Sequence, residues 1–218
     1  MMTEPSPYLS SFGRNRGRSL RPYQQGLVDA LLPKLQPDPA HLPARVALEI
    51  GFGGGEHLLA QARHNADTLW IGCEPFINGV AKCLAGIDRD KLTNIRLFTH
   101  DARKLIGQLP DASIDSIFIL FPDPWPKLRH NKRRLVNAQT LEMLHRIHKP
   151  GGRLLLATDH ADYSVWMLEL LLNNPHYRWT AEQMADWHIP PADWTETKYQ
   201  RKTTAQGRAP VFMECVRN

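Results

Sequence analysis

The chain has 218 residues, a length that points to one domain with at most a short appendage. A 42% hydrophobic content supplies a core, and 22% charged residues argue against global disorder. The formal charge of +5 favours a polyanionic partner, more through its clustering than its size. Cys73, Cys83 and Cys215 are odd in number and fit no zinc spacing, so they read as reduced thiols of a cytoplasmic protein. No apolar run approaches the roughly 20 residues of a membrane span, and the first residues have no signal-peptide core.

Residues 1–21 are rich in Ser, Pro, Gly and Arg and lack a hydrophobic period, which predicts a mobile arm carrying Arg14, Arg16, Arg18 and Arg21. A short helix over 22–34 follows, with Pro22 suited to its first turn. The basic arm and this helix make up residues 1–40, and a single domain spans 41–218. From there strands and helices alternate. Strands are predicted at 46–50, 69–74, 95–99, 116–121 and 153–158. Helices are predicted at 56–64, 76–87, 102–106, 135–149 and 163–174. Residues 177–180 and 211–217 read as two more strands, an antiparallel pair separated by an irregular polar segment with no clear helix. This is an α/β, doubly wound, mostly parallel seven-stranded sheet with an antiparallel edge.

In such a sheet the ligand lies beyond the C-terminal strand ends, at the switch point. The chain there reads Glu49-Ile-Gly51-Phe-Gly53-Gly-Gly, in which Gly51 and Gly53 let backbone approach a ligand. A lone glycine-rich loop also serves as a simple strand-to-helix turn. Glu74, 25 positions after Glu49, suits a ribose diol, a feature of both NAD and S-adenosylmethionine sites. Glu49 separates the two: a carboxylate ahead of the glycines repels a pyrophosphate and attracts an ammonium or sulfonium. Asp101, after the third strand, either accepts from an adenine amino group or caps the next helix. Three acids at three successive strand ends favour S-adenosylmethionine.

The fourth strand ends in Phe121-Pro-Asp123-Pro-Trp125-Pro, and five basic residues and a histidine then fall within eight positions, 127–134. The prolines fix the turn around Asp123. Trp125 either stacks on a base or anchors the loop. Lys127, Arg129, Lys132, Arg133 and Arg134 suit phosphates, unless they are only a solvated helix face.

EIGFGGGEHL (49–58), CEP (73–75), DARKL (101–105), FPDPWPKLRHNKRRL (121–135), TDH (158–160) and TKYQ (197–200) together resemble the bacterial tRNA (guanine-N7)-methyltransferases, as does GRNRGRSLRP (13–22). The resemblance implies methyl transfer from S-adenosylmethionine to N7 of a guanine in the variable loop of tRNA. It implies Glu49, Glu74, Asp101 and Asp123 at the donor site, with Asp123 as the catalytic residue. It further implies that Lys127, Asp159, Thr197, Lys198, Tyr199 and Gln200 contact the substrate. The family often has Glu where this chain has Gln200, which weakens any charge-based role there. N7 already bears an in-plane lone pair, so the site needs orientation and electrostatics more than a base. The competing readings are a methyltransferase acting on a protein or small molecule, which leaves the basic cluster idle, and a non-catalytic RNA-binding protein. No metal site, no obligatory protein partner and a monomer or homodimer are expected.

Overall fold

Each predicted strand is a short apolar run bounded by Gly, Pro or charge, and the computed structural model, which describes residues 17–218, assembles these runs into one sheet. Its strands are β1 (Val46–Ile50), β2 (Leu69–Cys73), β3 (Ile95–Phe98), β4 (Ile114–Leu120), β5 (His148–Thr158), β6 (Tyr177–Trp179) and β7 (Val211–Arg217). They lie in the order β3-β2-β1-β4-β5-β7-β6. β1 is parallel to β2 and β4, β2 to β3, and β4 to β5. β7 runs antiparallel to both β5 and β6. The order reverses between β1 and β4, which opens a crevice above their C-terminal ends.

The helices are α1 (Pro22–Ala30), α2 (Glu56–His64), α3 (Ile77–Asp90), α4 (Ala102–Ile106), α5 (Ala138–Ile147), α6 (Ala161–Leu172), α7 (Ala185–His188) and α8 (Lys198–Thr204). Successive residues of a strand face opposite sides, and both sides are covered. Val46, Leu48 and Ile50 join Ile117, Leu154, Leu105, Leu144 and Met167 in one apolar cluster. Ala47 joins Trp70, Phe118, Leu155, Leu58 and Leu84 in the other. The chain's start is tied to α3. Tyr23 donates to Asp88 Oδ2 at 2.8 Å, and the Asn78 amide accepts from Gly17 N at 2.8 Å and donates to Arg18 O at 2.6 Å. Arg18 and Arg21 are exposed, whereas Arg14 and Arg16 of the expected arm lie outside the described residues. No described helix is long and apolar enough to cross a membrane.

Two local expectations change. The helix expected to run to 149 stops at Ile147, because His148 turns extended (ψ 135°) and pairs with Ile114. The register shifts between Ile114 and Ser116, and Gly151 takes a left-handed φ of 74° there, so β5 runs through Pro150-Gly151-Gly152 rather than starting after it. The segment between β6 and β7, expected to have no clear helix, is largely irregular but holds the two short helices α7 and α8. Thr197 caps α8 by accepting from Gln200 N at 3.1 Å, and Thr-x-x-Gln is the spacing of a capping box.

Candidate functional site

The crevice is a cleft of about 580 Å³ lined from the ends of β1, β2, β3 and β4 and from the first turn of α8. Its floor is the glycine loop. Gly51, Gly53 and Gly55 take φ values of 82°, 54° and 81°, which a side chain rarely adopts. The loop is pressed against α3: a Cβ on Gly79 would sit 2.2 Å from the Gly53 carbonyl oxygen.

Glu74 staples that loop to the start of α3. Its Oε2 accepts from Gly53 N at 2.9 Å and its Oε1 from Phe76 N at 2.8 Å. Burial raises its carboxyl above the usual range, the two backbone N–H groups oppose the rise, and Asp123 and Glu49 add to it. Glu49 is 2% exposed and is oriented from behind by His57, whose Nδ1 lies 2.8 Å from Glu49 Oε2. The His57 ring is itself packed between Phe118 and Trp194, at 5.0 and 5.5 Å. Asp101 caps α4 through Arg103 N at 3.0 Å and also accepts from Arg103 Nε at 2.9 Å. Burial pushes its carboxyl up, but the Arg103 contacts outweigh that and hold it below the usual range. The helix cap posed for Asp101 is present, and the same carboxylate lines the cleft.

The opposite wall is the proline-rich turn. Phe121 and Trp125 take left-handed φ values of 52° and 44°, and each precedes a proline. That conformation is costly for any side chain and more so ahead of a proline ring. The strain brackets Asp123, which is exposed and lines the cleft. Two contacts hold the turn. Phe121 N donates to Ala157 O of β5 at 2.8 Å. Arg134, 1% exposed, donates from Nε to Pro124 O at 2.9 Å, pairs with Asp162, and lies over the Tyr163 and Trp166 rings at 4.9 and 5.0 Å. Trp125 is covered by the Arg133 guanidinium at 5.0 Å and meets the His130 ring edge-on.

On the α8 side, Thr197 and Tyr199 line the cleft, and the Tyr199 ring lies 5.2 Å from that of Phe121. Away from the cleft, Glu142, His145 and His176 bring three possible ligand atoms within 4.8 Å of one another. The imidazoles stack at 3.7 Å and 12°, so their in-plane lone pairs run in parallel planes and do not converge, and an Arg217 N–H lies 3.2 Å from His145 Nε2. The sequence reading did not pair these residues.

A family described as "Putative methyltransferase" matches residues 43–213. The tRNA (guanine-N(7)-)-methyltransferase of Caulobacter sp. (strain K31) is 46% identical over 98% of this chain and 97% of its own length. That of Agrobacterium fabrum is 41% identical over 94% of each. This chain belongs to the tRNA (guanine-N7)-methyltransferase family. Among solved structures, the aminoglycoside resistance methyltransferase NpmB1 aligns over 80% of this chain and 87% of its own with a TM-score of 0.58 at 20% identity. TrmN from Thermus thermophilus aligns over 89% of this chain and 48% of its own with a TM-score of 0.57 at 16% identity. Both likenesses speak for the Rossmann-like methyltransferase fold.

For a member of the tRNA (guanine-N7)-methyltransferase family, the expected donor-site residues come together: Glu49, Gly51, Gly53, Glu74, Asp101 and Asp123 all line the cleft. The expected substrate residues divide. Arg133, Thr197 and Tyr199 line it, while Lys127, Arg129 and Lys198 are exposed outside it. Three further residues expected to meet the substrate lie off the cleft wall. Arg134 is buried and occupied, so it is a strut for the turn and not a phosphate contact. Gln200 is 6% exposed and its Oε1 accepts from Trp194 Nε1 at 2.8 Å, which turns it away from the cleft. Asp159 does not line the cleft: its side chain is 4% exposed, ion-paired with Arg208 at 2.9 Å and accepting from Tyr199 Oη at 3.3 Å. Sequence reasoning passed over His57, Arg103 and Gly79. Only His57 left a local signal, an imidazole on the apolar face of α2 eight residues after a strand-end carboxylate.

Proposed function

We infer that this chain transfers a methyl group from S-adenosylmethionine to N7 of a guanine in tRNA. The relatives that carry this activity in their names match the chain end to end. The observation that supports the reading most directly is the position of Asp123. Its strained turn lines a carboxylate-bearing cleft and leads directly into the exposed Lys127, Arg129 and Lys132.

The donor set suits a cationic nucleoside. Glu49 and Glu74 sit beside the glycine loop, where they would repel a pyrophosphate and where a ribose diol and an ammonium find acceptors. The apolar wall, including Phe52, Phe76 and Ala102, suits an adenine ring. Bound there, the donor supplies an electrophilic methyl. The chain's own residues then orient and stabilise. Glu74 keeps the loop open-backed, and Asp101 accepts at the adenine edge. Asp123 lies beside the base and balances the positive charge that N7 acquires. No general base is needed, because N7 attacks with a lone pair it already has. The target lies in the variable loop, and the chain acts in the cytoplasm, as a monomer or homodimer without an obligatory protein partner.

Incubation of bulk tRNA with methyl-labelled donor, followed by nucleoside analysis, is expected to yield 7-methylguanosine. Label in any other nucleoside, or none, rules the reading out. Asp123→Ala should lower kcat by about 100-fold or more while tRNA affinity stays within about two-fold. A wild-type rate would remove Asp123 from the mechanism. Calorimetry with S-adenosylmethionine separates the non-catalytic RNA-binding alternative, which predicts no heat of binding.

A further inference from the structure

We propose that Glu56 is a further donor-binding residue: beside Glu49, it is the free carboxylate that receives the ammonium of the donor's amino-acid end. The proposal rests on the methyltransferase reading above and adds to it a residue that the family resemblance does not assign.

The acids that line the cleft are Glu49, Glu56, Glu74, Asp101 and Asp123, and they differ in what already holds them. Glu74 accepts from Gly53 N on one oxygen and from Phe76 N on the other. Asp101 meets Arg103 through both of its oxygens. Glu49 has His57 Nδ1 against its Oε2 and is 2% exposed. Glu56 and Asp123 remain. Among the described residues neither has a hydrogen bond or an ion pair. Asp123 belongs to the strained turn on the opposite wall. Glu56 is the first residue of α2 and is half-buried at the glycine loop. A carboxylate placed there loses part of its hydration and gains no partner from the chain in return.

The side chain is folded back over the loop. A Cβ on Gly54 would lie 2.9 Å from Glu56 Oε1 and 3.1 Å from its Oε2. Gly54, unlike Gly53 and Gly55, has no left-handed φ, so its missing side chain matters here for the room it leaves to that carboxylate. The loop's own acceptors are largely committed. Phe52 O accepts from Gly55 N at 2.8 Å, Gly55 O accepts from Leu59 N at 2.9 Å, and Gly53 O is pressed against Gly79. An ammonium has only N–H donors to offer. Against this loop it needs a side-chain acceptor, and a charged one makes the stronger bond. A plainer role competes, because an acid at the first position of a helix also complements the macrodipole. That role accounts for the residue type but not for its direction, over the loop and into the cleft.

The test is calorimetry on the full chain with S-adenosylmethionine, S-adenosylhomocysteine and 5′-methylthioadenosine. The second keeps the ammonium and lacks the sulfonium charge; the third lacks the amino-acid end altogether. Glu56→Gln is expected to weaken binding of the first two by about 10- to 100-fold, the range for one hydrogen bond to a charged group, and to leave the third within about two-fold. Glu56→Asp, which keeps the charge at a shorter reach, should fall between. In turnover with tRNA, Glu56→Gln should raise KM for the donor by a similar factor with kcat within about three-fold, because the ammonium contact is the same in ground and transition states. Circular dichroism melts confirm that each variant is folded. Equal losses for all the probes would make Glu56 a support for the loop and overturn the proposal. A loss confined to S-adenosylmethionine would assign the residue to the sulfonium and overturn it as well. So would unchanged affinities, which leave only the helix charge. If wild type binds S-adenosylmethionine and makes 7-methylguanosine but these effects are missing, only this proposal fails. If wild type binds neither S-adenosylmethionine nor S-adenosylhomocysteine, the methyltransferase reading falls with it.

Discussion

Glu74 carries two loads that pull against each other. Its oxygens hold the backbone N–H groups of Gly53 and Phe76, and its charge is kept in a site where burial and two neighbouring carboxylates disfavour it. A carboxyl whose folded pKa is raised adds stability that is complete below the ordinary value and is lost as pH rises through the folded value. When ionised in the ligand-free protein Glu74 is a strained anion, which a cationic donor with a ribose diol would relieve. The sign for binding is the reverse. As pH falls into the window between the raised pKa and the ordinary carboxylate value, Glu74 takes up a proton and loses an acceptor. Affinity for S-adenosylmethionine should drop on going from pH 7 to pH 5, starting at higher pH than an unperturbed carboxylate would require. Glu74→Gln should bind more weakly at pH 7 and show a flatter profile. Calorimetry at the two pH values measures this, and an equally steep profile in the variant would assign the effect elsewhere.

Two elements do the positioning, the glycine loop against α3 and the proline-rich turn against α6. For the first, Gly79→Ala is the direct probe, since its Cβ would meet a backbone carbonyl at 2.2 Å and neither side is a flexible chain end. The helix must back away from the loop, at a cost of about 1–3 kcal/mol in a urea titration, and donor affinity should fall with it. For the second, Arg134→Met removes a fork that satisfies Pro124 O and lies over two rings. A loss of about 2–4 kcal/mol is expected, together with a kcat lower than the stability loss explains, because the turn relaxes around Asp123. If kcat stays at the wild-type value in the folded variant, the turn keeps its shape without the strut. These same elements mark what the sequence made legible. β1, α2, α4 and β7 were predicted at the residues where they occur, because apolar runs end there on Gly, Pro or charge. The acids at the strand ends were legible for the same reason: a parallel sheet carries every such end to one rim. The helix α8 was not, because Lys198–Thr204 has no apolar face and rests on a Thr197 cap and on Gln200 and Thr203 buried side-on. The burial of Arg134 was not legible either, since Tyr163, Trp166 and Asp162 reach it from nearly thirty residues away.

Over the whole molecule, a charge of +5 is small for a partner as anionic as RNA, so its placement must decide the binding. Lys127, Arg129 and Lys132 lie exposed beside the turn that bears Asp123, whereas Arg134, their neighbour in sequence, faces the core. Exposed cations that meet phosphates release condensed counterions, and each such contact contributes about 0.7 to 0.9 to the slope of log affinity against log salt. Replacing Lys127, Arg129 and Lys132 together by Ala should therefore lower the slope by about two to three and weaken tRNA binding most at low salt. The donor site lies on the other side of the turn, so affinity for S-adenosylmethionine should stay at the wild-type level. Arg134→Lys serves as the internal contrast: it touches the same sequence cluster, and its salt slope should match wild type while its melting temperature falls. A filter-binding series from 50 to 300 mM salt (about a six-fold span) resolves the two behaviours. An unchanged slope in the triple variant would move the RNA track away from these residues and toward the exposed Arg18 and Arg21, of which Arg18 is tied through its carbonyl to Asn78 of the helix beside the donor cleft.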